Sequence, residues 1–99
     1  MANYRNSLQI YADVLEKTGE KGRQGIKVTE LLTKSNLSHP RLIPLLKKFT
    51  QSGLINEIVY DGKNTYVLTE KGILYLQEYK KFDDFARTFG LDLSKAYYY

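Results

Sequence analysis

The feature that most constrains this chain is the stretch 54–72, LINEIVYDGKNTYVLTEKG, in which two alternating segments flank the turn sequence DGKN. Alternation of apolar and polar residues with period two is typical of a strand with one packed and one wet face. Asp61 and Gly62 can supply the positive φ angles of a tight hairpin turn. The stretch therefore predicts a β-hairpin that leads into a helix capped by Thr69.

The same period divides the hairpin side chains between two faces. The packed face is predicted to carry Leu54, Asn56, Ile58, Tyr60, Tyr66 and Leu68. The wetter face is predicted to carry Glu57, Thr65 and Thr69. A hairpin of this kind is often purely structural, so its function depends on the segments before it.

Two short helices joined by a tight turn are predicted before the hairpin. The first is expected over residues 30–34, with a cap at Val28 or Thr29, and residues 35–37 form the turn. Asn36 suits such a turn because asparagine tolerates the left-handed backbone region. Together with the segment that follows, this pattern predicts a helix-turn-helix.

The second of these helices is expected over residues 38–51. Ser38 is placed to cap it, and Leu37 and Leu42 occupy the two positions of a hydrophobic staple. Gly53 stands where a glycine commonly ends a helix. Both ends of this helix are therefore marked in the sequence.

One face of the 38–51 helix is apolar and the other is basic. Its buried stripe is predicted to be Leu42, Leu45, Leu46 and Phe49. Its outward face is predicted to carry Arg41, Pro44, Lys47, Lys48 and Gln51. Such a face is usually only a solvated surface. Here, however, it belongs to a helix-turn-helix followed by a hairpin wing, an arrangement that places side chains in the major groove of DNA.

Specific roles follow from position on that helix. Arg41, near its start, is expected to reach a guanine edge, and Ser38 and His39 are expected to contact a base or a phosphate. Lys47 and Lys48 are expected on phosphates. His39 is the only histidine of the chain and is interpreted as an exposed residue of the helix start, not as a metal ligand or general base.

Pro44 is unusual inside a helix, because it has no amide hydrogen to donate to the Pro40 carbonyl. An interior proline costs about 3 kcal/mol or more. We therefore expect either a kink or a delayed helix start, and either would displace Arg41 from an ideal docking position.

Composition and charge narrow the class of protein. The 99 residues are 42% hydrophobic and suit a single domain. No cysteine is present, and no apolar run approaches the ~20 residues of a membrane span. A soluble, intracellular protein is expected. The net charge is +4, and residues 1–50 contain nine Lys or Arg against four Asp or Glu, which favours a polyanionic partner.

An enzyme is not expected. The chain has one histidine and no recognisable metal-binding, phosphate-loop or nucleophile motif, and catalysis needs convergent titratable groups. No metal or cofactor is expected either. A small-molecule effector is neither predicted nor excluded, since a ligand pocket between two copies of the chain would leave little trace in the sequence.

The amino-terminal third is predicted to contain one more helix. Residues 6–17 have helical periodicity and a cap at Asn6 or Ser7. The apolar stripe of this helix is predicted to be Leu8, Ile10, Tyr11, Val14 and Leu15. Glycine-rich residues 18–25 predict a mobile loop, in which Lys21 and Arg23 are open to either phosphate contact or plain solvation. Residues 25–28 predict a third short strand beside the wing.

A long helix over residues 70–89 is predicted to follow the wing. Ile73 and Leu76 are expected to face the core. A second stripe, with the spacing of a coiled coil, is formed by Tyr75, Tyr79, Phe82, Ala86 and Phe89. An exposed aromatic seam predicts an antiparallel, two-fold dimer, and the alternative is that residues 82–89 fold back over their own domain. Residues 91–99 are interpreted as a tail that is a candidate for disorder.

The order of elements resembles the archaeal winged-helix family of small DNA-binding proteins, including dimeric, chromatin-type members with a carboxy-terminal coiled coil. The matching segments are NSLQIYADVLE, LLTKSNLSHPRLIPLLKKF, SGLI and YVLTEKGILYLQEYKKF, within about residues 4–89. The resemblance implies an α+β fold. It divides the chain into a winged helix-turn-helix at 1–72, a dimerisation helix at 70–90 and the tail at 91–99.

The resemblance further implies a homodimer that binds double-stranded DNA as a transcriptional regulator or nucleoid-associated protein of the cytoplasm. The 38–51 helix would lie in the major groove, and the 60–65 wing tip on the backbone or minor groove. Lys63 and Asn64 of the tip, with Lys27, complete the predicted contact set. The competing hypothesis is a protein-interaction module of a larger complex that does not bind DNA and uses the surface around Ile43 and Pro44.

Overall fold

The structure, a computed structural model, describes residues 6–90. That part of the chain is α+β, with four helices and one antiparallel hairpin, as predicted. Its elements are α1 Ser7–Thr18, a 3-10 segment Gly19–Gln24, α2 Val28–Ser35, α3 His39–Gln51, β1 Ile55–Tyr60, β2 Lys63–Leu68 and α4 Glu70–Thr88. The prediction for the tail at 91–99 lies outside the described residues. Within 6–90, no helix combines the length and the apolarity that a membrane crossing requires.

α1 begins with a reciprocal capping pair. The Asn6 side chain accepts a hydrogen bond from the Gln9 amide at 2.8 Å, and the Asn6 amide donates to the Gln9 side chain at 3.0 Å. Val14 and Leu15 are fully buried in the core, as predicted. Leu8 is exposed, so its assignment to the buried stripe is wrong; it lies about one turn before the first core residues of this helix.

Residues 19–24, within the predicted mobile loop, form a 3-10 segment that is kinked at Gly22 and linked to α2 by two ion pairs. Lys21 pairs with Glu30 at 3.1 Å, and Lys34 pairs with Glu20 at 2.7 Å. The hydrogen bond from each lysine lowers the pKa of its partner carboxyl below the usual value. Lys21 is thus already engaged within the protein.

α2 starts earlier than predicted. Its N-cap is Lys27 instead of Val28 or Thr29, and the helix extends over eight residues. The Glu30 carboxylate accepts a hydrogen bond from the Lys27 amide at 3.3 Å, which satisfies an amide that would otherwise lack a partner at the helix start. The turn that follows has Asn36 in the left-handed region at φ 56°, as predicted.

α3 is one continuous helix despite its internal proline. The Leu42 amide donates to the Ser38 carbonyl at 2.9 Å, so helical bonding starts well before Pro44, and the predicted delayed start is wrong. The bond that Pro44 cannot donate would go to Pro40, which is exposed and can be hydrated. Gly53 lies just past the helix end at φ 78°, as predicted.

The core packs around the inner side of α3. Leu42, Leu46 and Phe49 are buried, and Leu45 packs partly against them. The other core members are Val14, Leu15, Ile26, Leu31, Leu37 and Ile55. All four helices and the hairpin pack against this one core, which leaves the outer side of α3 facing solvent.

The wing is a hairpin with a two-residue turn. Asp61 and Gly62 both have positive φ, at 52° and 75°, as predicted. The predicted third strand is reduced to one antiparallel bridge between Ile26 and Tyr66, whose amides and carbonyls bond at 2.8 and 2.9 Å.

The predicted division of the wing faces is wrong. The two-residue turn pairs Tyr60 with Lys63, so even-numbered residues of β1 oppose odd-numbered residues of β2. Consequently Leu68 lies opposite Ile55, on the face away from Ile58. Thr65, predicted on the wetter face, is only 4% exposed, and its hydroxyl donates to a backbone carbonyl of the 3-10 segment at 2.7 Å.

α4 begins at the predicted cap. The Thr69 hydroxyl accepts a hydrogen bond from the Gly72 amide at 3.0 Å and donates to the Gly53 carbonyl at 2.7 Å. A methyl group at Gly72 would overlap the Leu54 carbonyl oxygen, so a glycine allows the helix to pack closely on the wing.

Replacing Gly72 with alanine should therefore destabilise the domain, although alanine favours helices. We expect the free energy of unfolding to fall by about 1 to 3 kcal/mol, measured by denaturant titration. Gln77→Ala, at an exposed site of the same helix, is the matched control and should change it by less than about 0.5 kcal/mol. Equal stability of the two variants would show that a methyl group at position 72 does not clash with the wing.

The rotation of α4 differs from the prediction. Gly72, Tyr79 and Ala86 follow at seven-residue spacing on the face turned toward the chain's own domain, and each is partly or fully buried. Tyr75 also packs against the core. Ile73 is 46% exposed, so its predicted place in the core is wrong, whereas Leu76 packs there as predicted.

Candidate nucleic-acid interface

The outward face of α3 is open to solvent. Within the single chain, the exposed members of the predicted contact set on this helix and at its start are Ser38, His39, Arg41, Pro44, Lys47, Lys48 and Gln51. Pro40 and Ile43 are exposed on the same helix. Among residues 6–90, neither Arg41 nor Lys47 takes part in an ion pair. These two cationic groups are available to an outside anion.

A groove of about 330 Å³ separates α3 from the start of α1. Its lining residues are Ser7, Ile10, Tyr11, Leu37, Pro40, Arg41, Pro44 and Leu45. The two prolines make this side of α3 largely apolar. Arg41 is the one cationic residue among those that line it, so charge here is concentrated near the helix start.

A second groove, of about 240 Å³, separates α3 from the wing. Lys47 and Gln51 line it from α3, and Glu57 and Tyr66 line it from the wing. Burial and, second, the charge of Glu57 raise the pKa of Tyr66 above its usual value. Glu57 was predicted on the wetter face, but the sequence pattern does not show that its carboxylate lies beside α3, where it lowers the positive potential of the groove.

The wing tip presents its polar residues on two different faces. Asn64 pairs with Val59, on the face that carries Glu57 and Tyr66 and is turned toward α3. Lys63 pairs with Tyr60 and projects from the opposite face.

Lys63 lines a third groove, of about 240 Å³, together with Lys21 and Lys27. The acidic residues Glu30 and Asp61 also line it. The structure thus brings Lys27 and Lys63 together, but on a different side of the wing from the one that borders α3.

Lys48 differs from its neighbours because it is held by α1. Its ammonium donates a hydrogen bond to the Tyr11 hydroxyl at 3.0 Å and lies 5.0 Å from the centre of the Tyr11 ring. That ring packs edge-on against Phe49, with 5.5 Å between ring centres. Tyr11 was predicted only as a core residue, since no local pattern links two residues 37 positions apart.

The start of α3 offers polar groups but no metal-binding cluster. Ser38 occupies the N-cap position without a capping hydrogen bond from its side chain, and His39 is the first helical residue. Backbone amides at a helix start favour anions. Over residues 6–90, no three His, Cys, Asp or Glu side chains come together as metal ligands would.

Comparisons with known proteins agree with this architecture. A family model described as winged helix-turn-helix matches residues 4–87. The crystal structure of Sso10a-2, a DNA-binding protein from Sulfolobus solfataricus, is similar with a TM-score of 0.70 and 18% sequence identity, over 86% of this chain and 85% of that chain. At that identity the likeness establishes the fold. A search of curated protein sequences found no match. Because the family model spans most of the sequence, the chain belongs to the winged helix-turn-helix family.

Proposed function

We propose that this chain binds double-stranded DNA, with α3 in the major groove and the wing tip at 60–65 on the backbone or minor groove. One observation carries the proposal: the side of α3 opposite the core is solvent-exposed and carries the cations Arg41 and Lys47, which are in no ion pair within residues 6–90. Membership of the winged helix-turn-helix family and the structural similarity to Sso10a-2, a DNA-binding protein, add support.

The contacts are divided by chemistry. Arg41 can offer a bidentate pair to a guanine edge, and Gln51 can do the same for adenine. Lys47 contacts phosphate, and Ser38 and His39 lie at the positive end of the helix, which suits a phosphate oxygen. Because few of these groups can read a base edge, we propose binding that prefers certain sequences but draws most of its affinity from the backbone.

The wing and α2 supply a second set of backbone contacts. Lys63 and Lys27 line one groove, and Asn64 faces the α3 side of the wing. Two cations on one side of the hairpin and a polar amide on the other suit a wing that lies along the sugar-phosphate backbone, with its tip near the minor groove. Glu57 limits how closely phosphate can approach between the wing and α3.

We further propose a homodimer joined antiparallel through α4. Fewer residues are available to this dimer interface than the sequence predicted, because Tyr75, Tyr79 and Ala86 are partly or fully buried within the chain itself. Phe82, Phe85 and Phe89 are 49%, 63% and 63% exposed on the side of α4 that adjoins this buried face, and the rings of Phe85 and Phe89 lie 4.9 Å apart. Three adjacent exposed aromatics on one helix face favour a partner helix.

Titration with a random-sequence duplex at several salt concentrations tests DNA binding directly. We expect a Kd in the micromolar range or tighter at low salt and an affinity that falls steeply as salt rises, because each phosphate contact contributes about 0.9 to the slope of log affinity against log salt. The control variant carries Lys80→Ala and Lys81→Ala on α4 and should bind like the unmodified protein. Absence of binding at low salt would contradict the proposal.

The second candidate function is a protein-interaction module that does not bind DNA. It is favoured by the apolar residues in the outward face of α3, where Pro40, Ile43 and Pro44 are exposed. It is also favoured by Glu57, which reduces the positive charge between α3 and the wing. The same salt titration separates the two functions.

In the cell, we propose a transcriptional regulator located with the chromosome in the cytoplasm. The alternative within the same activity is an architectural protein that covers DNA broadly. Mapping of bound sites in vivo distinguishes them, since a regulator occupies a few sharp promoter sites and an architectural protein gives broad coverage.

A further inference from the structure

We propose that Tyr11 and Lys48 together form a phosphate-binding site at the junction of α1 and α3, and that its ligand is a backbone phosphate of duplex DNA. The inference rests on the proposed DNA binding. It assigns a DNA contact to α1, whose Tyr11 was predicted only as a core residue. It also gives Lys48 a defined partner instead of a freely moving side chain.

The hydrogen-bonding capacity of the pair matches a phosphate. Tyr11 oxygen accepts one hydrogen bond from the Lys48 ammonium at 3.0 Å. A phenol has one hydrogen to donate and an ammonium has three, so the hydroxyl and two ammonium hydrogens stay available to an outside acceptor. The two donor atoms are close enough to bind adjacent oxygens of one phosphate.

The pair is held in place before any ligand binds. The Tyr11 ring packs edge-on against Phe49, which is buried in the core. The Lys48 ammonium lies 5.0 Å from the centre of that ring, within the range of a cation–π contact. A lysine that is already positioned loses less side-chain freedom on binding than an unrestrained one.

The surroundings favour an anion of the DNA backbone. Lys48 is in no ion pair within residues 6–90, so its charge is not neutralised by a carboxylate. Arg41 lies seven residues earlier, which on a helix places it on nearly the same side and about 10 Å away along the axis. Both Arg41 and Tyr11 line the groove between α1 and α3. A DNA strand along this groove would meet Arg41 and then the Tyr11–Lys48 pair.

The variant Tyr11→Phe distinguishes this site from the opposite effect, in which Tyr11 holds Lys48 away from DNA. It removes the hydroxyl but keeps the ring that packs on Phe49. If the pair binds phosphate, Tyr11→Phe should weaken duplex binding about tenfold with an unchanged salt slope, because a neutral donor is lost. If Tyr11 only withdraws Lys48, binding should strengthen or stay the same, which would overturn the inference.

Lys48→Ala should also weaken binding about tenfold, but with a salt slope shallower by about 0.9 because a charge is lost. The double variant should bind more tightly than the product of the two single losses predicts, since both groups serve one phosphate. If the affinity of the double variant instead equals the product of the two single losses, the two residues act independently, which would contradict a shared site.

A charge control matches the Lys48 variant. Lys80→Ala removes a charge from an exposed site of α4 and should leave binding unchanged. Thermal unfolding of Tyr11→Phe should match that of the unmodified protein. If the unmodified protein binds no duplex, the proposed function fails and this site fails with it; if it binds and Tyr11→Phe binds equally, only the site is wrong.

Discussion

Replacing Arg41 and Lys47 together with alanine should weaken binding to duplex DNA by about 100-fold at ~0.1 M salt. Each side chain is exposed on the outward face of α3 and is expected to make one contact that contributes about 1 to 3 kcal/mol. The salt dependence should become shallower by about 1 to 2 in the slope of log affinity against log salt. Fluorescence anisotropy with a labelled duplex measures both quantities.

The fold should survive this change, because both side chains lie outside the core. We expect the free energy of unfolding to change by no more than about 0.5 kcal/mol per site. The matched control removes the same charge from α4 through Lys80→Ala and Lys81→Ala. If the Arg41 and Lys47 variant keeps its affinity while the fold is intact, α3 is not the DNA-contacting helix.

Replacing Phe82 and Phe89 with glutamate should convert the proposed dimer to monomers. Two carboxylates placed in the exposed aromatic stripe of α4 would have to be buried without partners in the antiparallel pairing, at a cost of several kcal/mol. The mass measured by light scattering should fall by half. DNA affinity should fall as well. In a dimer, binding of one copy raises the local concentration of the other copy at the DNA, and a monomer lacks this effect.

Gln77→Glu is the control for this experiment, since it adds a charge at an exposed site of α4 away from the three phenylalanines. It should leave the mass of the dimer unchanged. A dimer that persists after both phenylalanines are replaced would place the interface elsewhere on the chain. An unmodified protein that is already monomeric would remove the dimer from the proposal, but not the DNA contact of a single copy.

The parts of the fold that could be predicted from sequence are those specified within a few residues. The left-handed turn at Asn36, the helix end at Gly53, the hairpin turn at Asp61 and the cap at Thr69 all follow from local backbone preferences. Each is found where the sequence places it. Helix periodicity also separated the buried and exposed sides of α3.

The wrong predictions concern features that depend on contacts between segments that are distant in the sequence. Which wing face is buried is set by the pairing of Tyr60 with Lys63 and by the 3-10 segment beside Thr65, and alternation alone does not choose between the faces. The rotation of α4 depends on the close approach at Gly72. A periodic stripe therefore identified aromatic residues on this helix but not which of them stay exposed.

The candidate site shows the same division. The cationic residues of α3 could be predicted because they fall opposite the apolar stripe. The neighbours that modify them could not, because Glu57 and Tyr11 come from other elements. Their influence on Lys47 and Lys48 follows only from the tertiary arrangement.

The most direct test of the central claim is lysine reactivity, measured by acetylation and mass spectrometry with and without duplex DNA. If the outward face of α3 lies against DNA, Lys47 should be strongly protected in the complex. Lys80 and Lys81 on α4 should react as they do in the free protein. Unchanged reactivity of Lys47 in a sample saturated with bound DNA would contradict the claim that this face of α3 contacts the duplex.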